Sequence, residues 1–133
     1  MANEINVSVS LTVNKNGTQY SRTFATQDDM TGESLVTGML PLVHNTEKEV
    51  TTPTDLATFG WVYLHFADGE DTDYIDFGHS SSFTSDDAVC RLYGQEACLF
   101  KSAQGAGSHS LYAKATIAAG SGTVHLEYAI VEL

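Results

Sequence analysis

Basic residues are scarce in this 133-residue chain: six Lys and Arg stand against 17 Asp and Glu, for a net charge of −11. From Glu49 to Cys90 there is no Lys or Arg, while nine carboxylates fall there: Glu49, Asp55, Asp68, Glu70, Asp71, Asp73, Asp76, Asp86 and Asp87. Nucleic-acid affinity comes largely from Lys and Arg displacing counterions, so direct DNA or RNA binding is excluded as a leading role. An acidic surface suits a basic protein partner, a divalent cation or plain solubility. Long apolar runs are missing as well, none approaching the roughly 20 residues that span a bilayer as a helix. The opening MANEINVSVS has no basic segment followed by an apolar stretch, so synthesis and retention in a cytoplasm are expected. Cysteine is limited to Cys90 and Cys98. Without an export signal, two reduced, buried thiols are expected, with a bridge as the oxidised alternative.

Helical periodicity is absent too. What stands in its place is alternation. Ile5, Val7, Val9, Leu11 and Val13 alternate with Asn6, Ser8, Ser10 and Thr12, the pattern of a half-buried strand. Asn14-Lys15-Asn16-Gly17 supplies a reversal, and Thr18 to Thr26 returns with Tyr20 and Phe24 on one face, which predicts an opening hairpin. Leu35 to Val43, broken by Gly38 and Pro41, predicts an edge strand or one bending between sheets. Residues 44–58 are polar, Thr-rich and kinked at Pro53, and are expected to form a loop.

Phe59 to Phe66 is β-rich on both faces, as in a central strand, with Val62, Leu64 and Phe66 inward and Trp61 and Tyr63 under a neighbour or at an interface. The acidic turn 67–72 and the strand Tyr74 to Phe77 are expected to complete a second hairpin, followed by a Ser-rich loop at 79–87. Two more hairpin-like pairs flank Gly94-Gln95 (88–93 with 96–101) and Gly120-Ser121-Gly122 (111–118 with 124–131). Eight or nine short strands with turn signals every 8 to 12 residues predict an all-β fold, an antiparallel β-sandwich or jelly roll with essentially no helix. The chain length fits one such domain over residues 1–133.

Chemical motifs are few. Asp68, Glu70, Asp71, Asp73 and Asp76 fall within nine residues, and oxygen ligands at this density hold calcium in some proteins, so Asp68, Asp71, Asp73 and Asp76 are the candidate ligands. The spacing departs from the EF-hand loop, and turns at strand ends collect Asp and Gly for conformational reasons. No other metal site, cofactor or catalytic group is assigned. His44, His65, His79, His109 and His125 never fall at a two-ligand spacing. Ser80, Ser81 and Ser82 beside His79, and Ser108 and Ser110 beside His109, lack the G-x-S-x-G elbow of a nucleophile. Gly105-Ala106-Gly107-Ser108 lacks the Gly-Lys-Ser/Thr ending of a phosphate loop and reads as a hairpin tip. Trp61, Tyr63, Tyr74, Tyr93, Tyr112 and Tyr128 are candidates either for stacking on sugars or for core and subunit contacts.

In style rather than by a diagnostic motif, the chain resembles the small all-β virion proteins of tailed bacteriophages. The residues concerned are the alternating strand Ile5 to Val13, the strand from Phe59-Gly60-Trp61-Val62 feeding an acidic turn that ends Asp76-Phe77-Gly78, the segment Ser110 to Ala115, and the closing Leu126 to Glu132. The resemblance implies a non-enzymatic capsid decoration (cement) protein, made in the host cytoplasm and residing in the virion. Its expected partners are the major capsid protein or other virion proteins and copies of itself, as a homotrimer, with no nucleic acid and no membrane. A neck or tail component, or a calcium-dependent carbohydrate-binding module, is the alternative.

Overall fold

The computed structural model describes residues 5–30, 35–50, 59–101 and 110–132. Among these, ten strands occur, and no helix is long and apolar enough to cross a membrane. They are β1 (Ile5–Lys15), β2 (Thr18–Asp28), β3 (Leu35–Val43), β4 (Glu47–Val50), β5 (Phe59–Phe66), β6 (Tyr74–Gly78), β7 (Cys90–Tyr93), β8 (Ala97–Lys101), β9 (Leu111–Thr116) and β10 (Thr123–Glu132). The chain divides into two compact units, residues 1–31 and 32–133. The first unit carries β1 and β2, and the second carries the other eight strands.

The first unit is the predicted hairpin. β1 pairs antiparallel with β2 from Ile5↔Asp28 to Lys15↔Thr18, and Asn16 and Gly17 turn at φ 51° and 80°. That left-handed pair matches the twist of a two-residue hairpin, which is why Asn-Gly stands there. The half-buried expectation fails: Val7 alone in β1 is buried. A two-stranded sheet has no second layer of its own to cover a face.

The second unit holds two four-stranded antiparallel sheets, ordered β3-β10-β5-β8 and β4-β9-β6-β7. With successive strands passing from sheet to sheet except at β6-β7, this order is a jelly roll. Alternation along each strand turns one side chain in two toward the other sheet. Leu42, Leu64, Phe66, Leu126 and Ile130 from the first sheet meet Val50, Ile75, Phe77, Leu111 and Ala113 from the second in one core cluster. Each large side chain buried there contributes about 1.5–3 kcal/mol.

β5 is central, as its two-faced apolar pattern predicts, and β3 with Pro41 lies at a sheet edge. Three expected hairpins are corrected. β5 and β6 lie in different sheets, as do β7 and β8, and β9 and β10. Their connecting turns are crossovers between layers, and a crossover needs the same Gly, Asp and Asn as a hairpin. The loop expected at 44–58 contains β4, a four-residue edge strand whose single apolar residue, Val50, is fully buried. Residues 51–58 of that loop, with Pro53, lie outside the described residues.

Candidate interaction surface

The two outer faces of the sandwich differ in chemistry. On the β4-β9-β6-β7 sheet, register aligns Glu47, Lys114, Asp76 and Arg91 in one row across four strands, alternating in sign. Arg91 closes it with a two-pronged pair, Nε donating to Asp76 Oδ1 at 2.6 Å and an Nη donating to Oδ2 at 2.9 Å. Its guanidinium also lies 4.1 Å from the centre of the Tyr74 ring, and Tyr74 meets Tyr93 at a tilt of 60° with centroids 5.9 Å apart. Asp76 is thereby only 3% exposed although it points away from the core. Hydrogen bonding to that carboxylate pushes the Arg91 pKa up from an already high value, which holds the charge in place. Cross-strand charge rows of this kind are at home in water.

The outer face of β3-β10-β5-β8 is mostly apolar. Register sets Leu35 beside Val131, Thr37 beside Ala129, Tyr63 and Leu99, and Met39 beside Glu127, His65 and Ala97. Trp61 lies beside Lys101, whose Nζ is 5.9 Å from the indole centre. Leu35 and Met39 are 59% and 57% exposed, and Val43 follows at 44%. The polar members are tied to one another: His65 Nδ1 lies 2.9 Å from Glu127 Oε2, and His125 Nδ1 meets Asp68, which also accepts the His125 backbone N–H at 2.6 Å. The His65–Glu127 pair lies mid-face between Met39 and Ala97, and apolar area holding internally paired polar groups is the composition of a protein–protein contact rather than of a solvated sheet.

The candidate calcium ligands do not converge. Asp68 engages His125, Asp76 engages Arg91, and buried Asp73 accepts backbone N–H groups from Glu70 at 3.1 Å and Ala118 at 2.8 Å. Asp73 therefore works as a clamp between two crossover loops. Asp71 is exposed. Among the described residues, no group of three or more His, Cys, Asp and Glu has a metal-holding arrangement. The aromatic candidates are also divided: Trp61 and Tyr63 lie on the apolar face, Tyr74, Tyr93 and Tyr112 on the charged one, and Tyr128 is buried beside Gly38. His44 accepts the Ile117 N–H at 3.0 Å, a loop contact, and His79 is exposed in the Ser-rich loop. His109 and the segment 105–108 lie outside the described residues.

Cys90 and Cys98 approach to 3.7 Å between sulfurs and are both free thiols. They meet across the two layers, Cys90 on β7 and Cys98 on β8, rather than across paired strands. Burial pushes the Cys98 thiol up to about 12, with Cys90 adding to the shift. The unfolded thiol ionises near 9, so ionisation costs the fold nothing below that pH and progressively destabilises it between about 9 and 12. Melting temperature measured across this range is expected to fall less steeply in Cys98→Ser than in wild type, by a few degrees at the alkaline end. Parallel curves would place the thiol in open solvent.

No protein-family model, curated protein or solved structure matches this chain.

Proposed function

We propose that this protein is a non-enzymatic structural component of a tailed-bacteriophage virion, a capsid decoration protein that binds the head shell as a homotrimer and stabilises it. The observation behind this reading is the apolar outer face of the β3-β10-β5-β8 sheet, where Leu35, Met39 and Val43 stand in solvent beside Trp61, Tyr63, Leu99 and Val131. A clamp between shell subunits needs a broad contact area on a rigid support, and a two-layer sandwich provides both. The opposite face, with its row of alternating charges, is suited to water. Many copies of so electronegative a protein would also keep particles from clumping.

Jelly rolls serve in capsids and in lectins alike, so the fold by itself does not choose between these roles. Three of the four candidate carboxylates of a calcium-dependent sugar site, Asp68, Asp76 and Asp73, are already engaged by His125, Arg91 and backbone amides, which leaves the contact face as the stronger support. Quantitative mass spectrometry of purified virions tests the reading. Tens to hundreds of copies per particle are expected, a few copies would indicate a neck or tail position, and absence from the particle would refute it.

A further inference from the structure

The hairpin unit presents an apolar face of its own. Pairing sets Val13 opposite Tyr20, Leu11 opposite Arg22 and Val9 opposite Phe24, so these side chains share one surface. Val9, Leu11, Val13, Tyr20 and Phe24 are 48%, 53%, 45%, 48% and 59% exposed. The reverse surface is polar, with Gln27 donating to Asn6 at 2.8 Å and the hydroxyls of Thr12 and Ser21 in contact at 3.4 Å. An isolated two-stranded hairpin is marginal in water and gains stability from further strands or from a surface packed on its apolar face. Eleven residues per strand is long for an element in that position.

We infer that the hairpins of neighbouring copies of this chain pack together through their apolar faces, so that residues 5–28 form the contact between copies. Lys15 and Arg22 are the only charged residues between Ile5 and Gln27, which leaves −13 on the rest of a chain whose total is −11. Two such chains repel each other through their carboxylates, whereas hairpin on hairpin brings together only Lys15 and Arg22, the latter lying over the Tyr20 ring on the same face. Area agrees. The five exposed side chains offer roughly 500 Å² of apolar surface per copy, so two copies bury roughly 1,000 Å², about the floor for a specific interface. Identical ribbons also match in length and in the spacing of their apolar rows, as a symmetric contact requires. This contact holds whatever the assembled protein binds, and does not depend on the virion reading.

Sedimentation velocity of the full chain, from about 1 to about 100 μM, tests it. Wild type is expected to sediment as an oligomer, and Leu11→Asp with Phe24→Asp as a monomer of unchanged thermal stability. Ser10→Asp with Thr23→Asp places the same two charges on the polar surface, and this variant is expected to stay oligomeric. A monomeric wild type, an oligomeric Leu11/Phe24 variant, or dissociation of the Ser10/Thr23 control would each overturn the proposal. Salt distinguishes the remaining occupant: contact between like-charged copies is not weakened by raising ionic strength, whereas a cationic hairpin docked on an acidic surface dissociates, which would also overturn it.

Discussion

Arg91→Ala is expected to destabilise the sandwich by about 2–4 kcal/mol, read as a lower urea midpoint at unchanged slope. Asp76 is almost completely covered, and its two oxygens accept two N–H groups of Arg91. Removing the guanidinium leaves a carboxylate with less water than it needs, and removing one member of such a pair costs more than the pair contributes. Partial exposure of Arg91 keeps the figure below that of a fully buried pair. Arg91→Lys is expected to recover part of the loss, since an ammonium replaces the charge but not the fork. Asp76→Leu with Arg91→Leu is expected to fall closer to wild type than Arg91→Ala, because no buried charge is left without a partner. A loss under about 0.5 kcal/mol for Arg91→Ala would show that water reaches Asp76 freely.

The second large effect is steric. A Cβ at Gly94 would lie 2.3 Å from the Glu70 carbonyl oxygen and 2.4 Å from that of Gly69. Both obstacles are backbone, in the crossover loop between β5 and β6, so no side-chain rotation relieves them. The Gly94 N–H donates to the Asp73 carbonyl at 3.1 Å, which ties the two crossovers together at this point. Gly94→Ala is expected to cost about 2–4 kcal/mol by forcing these loops apart. Gly17→Ala in the hairpin turn has open space around it and carries only the penalty of its positive φ, about 1 kcal/mol. Equilibrium unfolding of the two variants side by side checks the contrast, and equal losses would contradict it.

Alternation made the individual strands legible. β1 and β10 alternate, β5 is apolar on both faces, and in β5 and β10 the inward residues are those expected: Val62, Leu64 and Phe66, and Val124, Leu126, Tyr128 and Ile130. Strand partners were not legible. Gly94-Gln95 does reverse the chain, with Gln95 at φ 66°, yet β7 before it pairs with β6 and β8 after it pairs with β5. A turn's residues report its local conformation, while the sheet a strand joins is decided by contacts far away in sequence. β4 is not legible in sequence because Glu47-Lys48-Glu49-Val50 has one apolar residue and looks like loop.

The same division applies to the contact surface. Trp61 and Tyr63 were legible as residues in excess of what one core face can take. Leu35, Met39 and Val43 were not, since Gly38 and Pro41 break the period that would have shown them on one side. Gly38 is small for a packing reason: it stands opposite Tyr128 in the ladder, and the phenol fills the space of its missing side chain. The Asp76–Arg91 pair joins residues 15 apart and follows from β6–β7 register alone. The density of carboxylates pointed to a cation, whereas the fold hands Asp68, Asp73 and Asp76 to three different partners.

Copies per virion, counted by mass spectrometry in particles assembled with wild-type protein and with the Leu35→Glu, Met39→Glu variant, test most directly whether the apolar sheet face is the attachment surface. Wild type is expected at a fixed high number, and the variant, folded and equally stable in solution, is expected to be lost from the particle. Equal incorporation of the two would contradict the account.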